Sequence, residues 1–172
     1  MAFLELVLAG VIAASAERSF VSEEAGFEAA FPVAPAHRVM AVRTPEGPQT
    51  RHAFRVSNEQ GSFYVLFACT PPPALPSDSV KALDAIRAEG RQLFGWRTIA
   101  DRKIVVSGYP GREFIDELQG MTLSGRTVLG PNGSFYSVGA TVRAGVLRKG
   151  ADAFVRSFRM LPQAGRTVCV RR

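Results

Sequence analysis

The chain has 172 residues, 47% hydrophobic and 21% charged, with 21 Lys and Arg against 15 Asp and Glu for a formal net charge of +6. A chain of this length specifies one domain with its own core, and the composition excludes a disordered chain and a disulfide-dense miniature scaffold. The bases are dispersed except toward the end, where Arg148, Lys149, Arg156, Arg159, Arg166, Arg171 and Arg172 gather; the charge favours anionic surfaces without marking a nucleic-acid-binding block.

Residues 1–16, MAFLELVLAGVIAASA, are apolar apart from Glu5 and end in Ala14-Ser15-Ala16, the small-x-small pattern of a signal-peptidase site. The expected plan is a signal peptide at 1–16, a folded domain at 17–162 and a basic tail at 163–172. Cleavage removes one acid and no base, taking the net charge from +6 to +7. The apolar stretch falls short of the roughly 20 residues a bilayer span needs, and no Cys follows it. The expectation is export to the periplasm or the medium with no stable membrane anchor.

Phe27–Phe31 predicts a short strand stopped by Pro32 and Pro35. His37–Thr44 predicts a second, and the Pro45-Glu46-Gly47-Pro48 turn leads to a third at Arg51–Ser57, with His52, Phe54 and Val56 on its core face. Ser62–Cys69 is apolar on both faces and reads as a central strand covered on both sides. A helix over Val80–Phe94 follows, with its cap in Pro76-Ser77-Asp78-Ser79 and an apolar stripe of Val80, Leu83 and Ile86. Lys81, Asp84, Arg87 and Arg91 are expected off that stripe, and Gly90 marks an irregular or closely packed point.

Ile104–Leu118 reads as the organising hairpin, with Pro110-Gly111 as the centre of a type II turn. Met121–Leu129 and Ser134–Val142 form a further pair around Asn132-Gly133. The small residues Ser137, Gly139 and Thr141 are read as the seat of a packed helix. Asp152 is the expected cap of a short helix carrying Phe154, Val155 and Phe158, and Thr167–Val170 would add an edge strand. Strands, helix, strands, helix gives an α+β fold with a central antiparallel sheet.

No spacing in the chain suits a metal, a nucleotide cofactor or a nucleophile elbow, and His37 and His52 stand on different strands. No catalytic, cofactor-binding or metal-binding residue is therefore assigned. Glu113, Asp116 and Glu117 are the one carboxylate cluster; the expected arrangement is a solvated edge face paired with Arg102, Lys103 or Arg126, and the alternative is a hydrolase of envelope polymers. Phe63-Tyr64-Val65-Leu66-Phe67 lacks the flanking base of an aromatic RNA-binding strand and is expected in the core. Cys69 and Cys169 either form one disulfide or stand as two free thiols. Tyr109 and Arg112, at the expected hairpin corner, are the candidate partner contacts.

Phe20-Val21-Ser22 with Gly26-Phe27, Phe31-Pro32, Thr44-Pro45-Glu46-Gly47, the Tyr64 strand, Gly108-Tyr109-Pro110-Gly111-Arg112-Glu113 and Ala153-Phe154-Val155-Arg156-Ser157-Phe158 occur in that order. Together they resemble uncharacterised bacterial exported proteins of the PsbP/Mog1-like type, over Ser19 to Leu161. The resemblance implies an α/β/α sandwich with helices packed on both faces of the sheet. It also implies an accessory or binding role, since family members of known role are a photosystem extrinsic subunit, a Ran-binding factor and envelope lipoproteins. It brings no catalytic residues. The expected function is a non-enzymatic exported accessory domain that binds a protein or an anionic envelope component, with electrostatic adhesion to anionic surfaces through the Arg-rich C-terminal region as an alternative beside the hydrolase.

Overall fold

The computed structural model describes residues 19–44, 47–59, 61–69, 78–143 and 148–162. The expected signal peptide, the basic tail with its edge strand and Cys169 lie outside the described residues. Among the described residues the chain is mostly strand. Seven strands form one antiparallel sheet in the order β3-β4-β5-β9-β8-β7-β6: β3 Ala36–Thr44, β4 Gly47–Asn58, β5 Gly61–Cys69, β6 Arg97–Val106, β7 Tyr109–Leu118, β8 Met121–Leu129 and β9 Ser134–Arg143. A second sheet of three short strands is ordered β1-β2-β10, from Phe20–Ser22, Phe27–Ala29 and Arg159–Met160.

Alternation builds the core. Phe54 and Val56 of β4, Phe63, Val65 and Phe67 of β5, and Tyr136, Val138 and Ala140 of β9 fall on one face and are buried there. The three-stranded sheet and helix α2 (Lys149–Ser157) close over them, with Phe27, Phe31, Phe154 and Phe158 in the same apolar cluster. Backbone and hydroxyl bonds pin this cover down: the Tyr136 hydroxyl donates to the Ala25 carbonyl at 2.7 Å, and the Leu161 N–H donates to the Gly26 carbonyl at 2.9 Å. Helix α1 (Ser79–Phe94) lies against β7 and β8, where its Ala82 and Leu83 cluster with Leu129 and Phe135. The Asp78 carboxylate caps it by accepting from the Val80 and Lys81 N–H groups, and Gly95 ends it in the left-handed conformation at φ 69°. The helix runs through Gly90 with open space around that residue, so neither irregularity nor close packing explains it.

The hairpin of β6 and β7 is present, but its turn is not at Pro110-Gly111. The turn residues are Ser107 and Gly108, both at positive φ (51° and 85°), as a type I′ connection demands. Ser107 tolerates this while its hydroxyl accepts the Met160 N–H at 3.0 Å, tying the turn to β10. Pro110 stands inside β7 opposite Val105, and the pairing of β7 with β8 begins only at Gly111, so the missing N–H breaks no ladder bond there. Gly111 is needed for closeness: a Cβ would sit 2.7 Å from the Thr127 carbonyl oxygen and 3.3 Å from the Ile104 side chain. Gly111→Val is therefore expected to cost about 1–3 kcal/mol as an overpacked site; an unchanged urea midpoint would contradict the close approach.

Two further expectations change. Asp152 lies inside α2 rather than at its cap, and its carboxylate accepts the Ser124 hydroxyl at 2.7 Å. Gly139 is small because the Tyr64 ring of the neighbouring strand lies over it, as the Phe114 ring lies over Gly125. At Gly139 and Gly125 these cross-strand aromatic covers leave no room for a Cβ.

Candidate functional site

The three carboxylates that adjoin in sequence separate in space. Alternation along β7 puts Glu113 and Glu117 on one face and Asp116 on the other. β7 is not the sheet edge, since β6 lies outside it. Glu113 is held by Arg102 and by Arg126, whose Nε donates at 2.8 Å. Burial pushes its carboxyl up, but the hydrogen bonds from Arg102 and Arg126 outweigh that and hold it below its usual value. Glu117 accepts from Arg97 at 2.8 Å at the surface. Each carboxylate thus has its own arginine.

Asp116 belongs to a buried network that the sequence pattern conceals. Arg87, expected off the apolar stripe of α1, points inward and is 7% exposed. Its guanidinium donates to both Asp116 oxygens at 3.0 and 2.9 Å, and its Cζ stands 3.4 Å from the Phe114 ring centroid. The Thr98 hydroxyl, at the bulge where the β6–β7 register shifts, donates to Asp116 at 2.9 Å, and Asp101 accepts from Arg87 Nε at 3.4 Å. Tyr64 lies near this pair; burial pushes its phenol up to about 12, against an opposing hydrogen bond with Ser137. Every charged member is paired, which gives the network a clear use in fixing α1 to the sheet.

Arg112 does not stand at an exposed corner. It is ion-paired to Asp84 of α1 and, at 3.6 Å, to Asp101, while Tyr109 packs partly buried against the core. Cys69 ends β5 and is disulfide-bonded. A depression of about 60 Å³ lined by Glu113, Ser124, Asp152 and Arg156 adjoins α2, far below the roughly 300–1,000 Å³ of small-molecule sites. Among the described residues no group of three or more His, Cys, Asp or Glu is placed to hold a metal.

Cross-strand register brings together the two histidines that sequence kept apart. Val39 faces His52 and His37 faces Phe54, so His37 and His52 are diagonal neighbours, with Nε2 and Nδ1 3.2 Å apart. The His37 ring stacks on Phe54 at 4.3 Å, and Glu24 stands 4.0 Å from His52. Burial lowers the His52 pKa from 6.5; Glu24 opposes the shift and His37 adds to it. The unfolded chain then binds the proton more readily, so stability rises with pH between the lowered folded value and 6.5. Acidification from neutral pH is expected to lower stability through that window and then level off. Denaturant titrations at stepped pH test this, and His52→Gln should flatten the same window; a wild-type profile without slope there would contradict a buried neutral imidazole.

The other half of the sheet differs in charge. β3, β4 and β5 contain Arg38, Arg43, Arg51, Arg55 and the two histidines, and no Asp or Glu. Among the described residues none of these four arginines has a carboxylate partner; Arg51 and Arg55 bond only to neutral Gln49, Ser57 and Ser62. By contrast Arg87, Arg97, Arg102, Arg112 and Arg126 are all ion-paired. Among the described residues β3 is an open edge, exposed at nearly every position, with Val39 59% and Met40 39% accessible. The sequence signals this surface only once the strands are delimited, because the acids of this stretch, Glu46 and Glu59, stand between the strands and not in them.

No protein-family model matches the chain, and no curated protein matches it by sequence. Among solved structures it is similar to cyanobacterial PsbP (CyanoP) from Synechocystis sp. PCC 6803, with a TM-score of 0.59 and 9% identity over 83% of this chain and 91% of that one. It also matches PA94 from Pseudomonas aeruginosa, a protein of unknown function, with a TM-score of 0.46 and 10% identity over 78% of this chain and 98% of that one.

Proposed function

The chain has a PsbP-like fold, and from that premise we propose a non-enzymatic, exported accessory domain that binds a protein or a cell-envelope component. The observation that carries the reading is the exposed surface of β3 and β4, where Arg38, Arg51 and Arg55, without carboxylate partners among the described residues, surround accessible Met40. Unpaired cations beside apolar side chains are the makings of a recognition surface. The acidic cluster supports the same reading over a hydrolase, because Glu113, Asp116 and Glu117 each have a structural arginine partner. The reading includes an α/β/α layering: α1 meets the face bearing Phe135 and Leu129, α2 the face bearing Phe63 and Val65, and these alternate along their strands.

Export is supported by the composition of residues 1–16, and among the described residues no helix is long and apolar enough to cross a membrane. N-terminal sequencing of the secreted product tests it; a mature chain that keeps Met1 would refute it. The binding role is tested by affinity capture from periplasmic extract with the purified domain as bait. The expected result is one specific, salt-sensitive partner; recovery of nothing specific across buffers would remove the reading.

A further inference from the structure

We propose that the open edge of β3 captures an extended acidic segment of a partner protein, which adds as an outer strand to the sheet with alternate carboxylates facing the Arg38 side. The inference rests on the binding-domain reading above and deepens it by naming the edge and the partner's chemistry.

The two ends of the sheet are built differently. β6 is guarded in the ways natural edges usually are: its register shifts between Thr98 and Ala100, and Arg97, Asp101, Arg102 and Lys103 interrupt it with charges of both signs. β3 has charges of one sign only, Arg38 and Arg43, and no register shift. It pairs with β4 without a break from Ala36↔Arg55 to Thr44↔Gly47, its outer side has no neighbouring strand among the described residues, and its middle is the run Val39-Met40-Ala41-Val42. A regular, exposed, apolar edge is a template for strand addition, in which backbone bonds supply affinity and alternate side chains supply choice.

Charge then selects the occupant. Arg38, Met40 and Val42 share one face of β3, and Arg51 and Arg55 share it on β4 through the pairs Met40↔Arg51 and Arg38↔Ala53. An added strand lies about 4.8 Å from β3, so its side chains on that face meet Arg38 directly and the field of Arg51 and Arg55 one strand further in. A second copy of β3 would bring two more arginines and no carboxylate, so it would answer the backbone but not the charge. A lipid or polymer would use the arginines but leave the backbone of β3 idle. An acidic strand answers both the open backbone and the arginines lacking carboxylates.

The test uses the folded protein and a labelled synthetic peptide of alternating Glu and Val, read by fluorescence anisotropy. The expected results are binding that weakens with salt, and a loss of roughly tenfold or more when Lys replaces Glu in the peptide or when the protein carries Arg38→Glu with Arg55→Glu. Both arginines are exposed, and an unchanged urea midpoint for that variant verifies its fold. N-methylation of alternate peptide amides should abolish binding on the wild-type protein, an arm that needs no variant. Amide exchange should slow along β3 when the Glu-Val peptide is bound. Absence of peptide binding overturns the proposal. So does equal binding of the N-methylated peptide, or equal Arg38-dependent binding of phosphatidylglycerol vesicles, either of which would mark a general anion patch. If affinity capture recovers its partner equally well with the arginine variant, the binding role stands and the β3 proposal falls; if the wild type captures nothing, the binding role itself falls.

Discussion

Arg87→Ala is expected to destabilise the fold by about 3–5 kcal/mol, because it leaves the Asp116 carboxylate buried without its countercharge. Asp116 is 1% exposed, and after the substitution it would keep only the Thr98 hydroxyl as a donor among the side-chain bonds just described. Asp116→Ala should cost less, since Arg87 retains Asp101 at 3.4 Å and the face of the Phe114 ring. That asymmetry separates a buried network from a simple surface pair, which is worth about 0–1 kcal/mol and loses equally from either side. The paired replacement Arg87→Met with Asp116→Leu should recover much of the loss, as apolar substitutes for buried ion pairs commonly do. Urea unfolding of the four proteins, with m-values compared, gives the measurement. A cost below about 1 kcal/mol for Arg87→Ala would show that water reaches the pair.

The same network shows where sequence reading stops. Periodicity placed α1, β4 and β9 because each buries a face whose repeat is visible in its own residues, a run apolar on both faces placed β5, and the Asn132-Gly133 turn signal placed β8 beside β9. It missed the inward turn of Arg87, because the partners that make burial tolerable, Asp116, Thr98 and the Phe114 ring, come from strands 11 to 29 residues away. The hairpin at Ile104–Leu118 was legible while its turn was not: Pro-Gly is the stronger local signal, but the close approach of Thr127 claims Gly111 for the strand and leaves Ser107-Gly108 to turn. β1 and β10 have two or three residues each and exist only by pairing with β2, so they carry no pattern of their own. The meeting of His37 and His52 depends on the β3–β4 register, which fixes diagonal neighbours only once the strands are paired.

The second large effect is expected at Phe154, whose replacement by Ala should also cost about 3–5 kcal/mol. The side chain is 3% exposed, with its ring 4.8 Å from that of Phe31 and 5.4 Å, edge to face, from that of Phe63. It therefore joins three layers at one point: α2, the segment after β2, and β5 of the large sheet. α2 has nine residues and no side-chain cap at its start, and an isolated helix of that length is not stable in water. Its order must come from tertiary contacts, chiefly Phe154, Val155 and the Ser124–Asp152 bond. Asp152→Ala removes only that one bond and is expected to cost about 0.5–1.5 kcal/mol, so the two variants rank the anchors of α2. Hydrogen exchange should show protection lost first in α2 of the Phe154→Ala protein, with β5 and β9 retaining theirs, because local opening begins where buried apolar contact is scarcest. If Asp152→Ala proved the costlier of the two, the polar bond rather than the ring would hold α2, and the aromatic cluster would be filling space beside a helix already fixed.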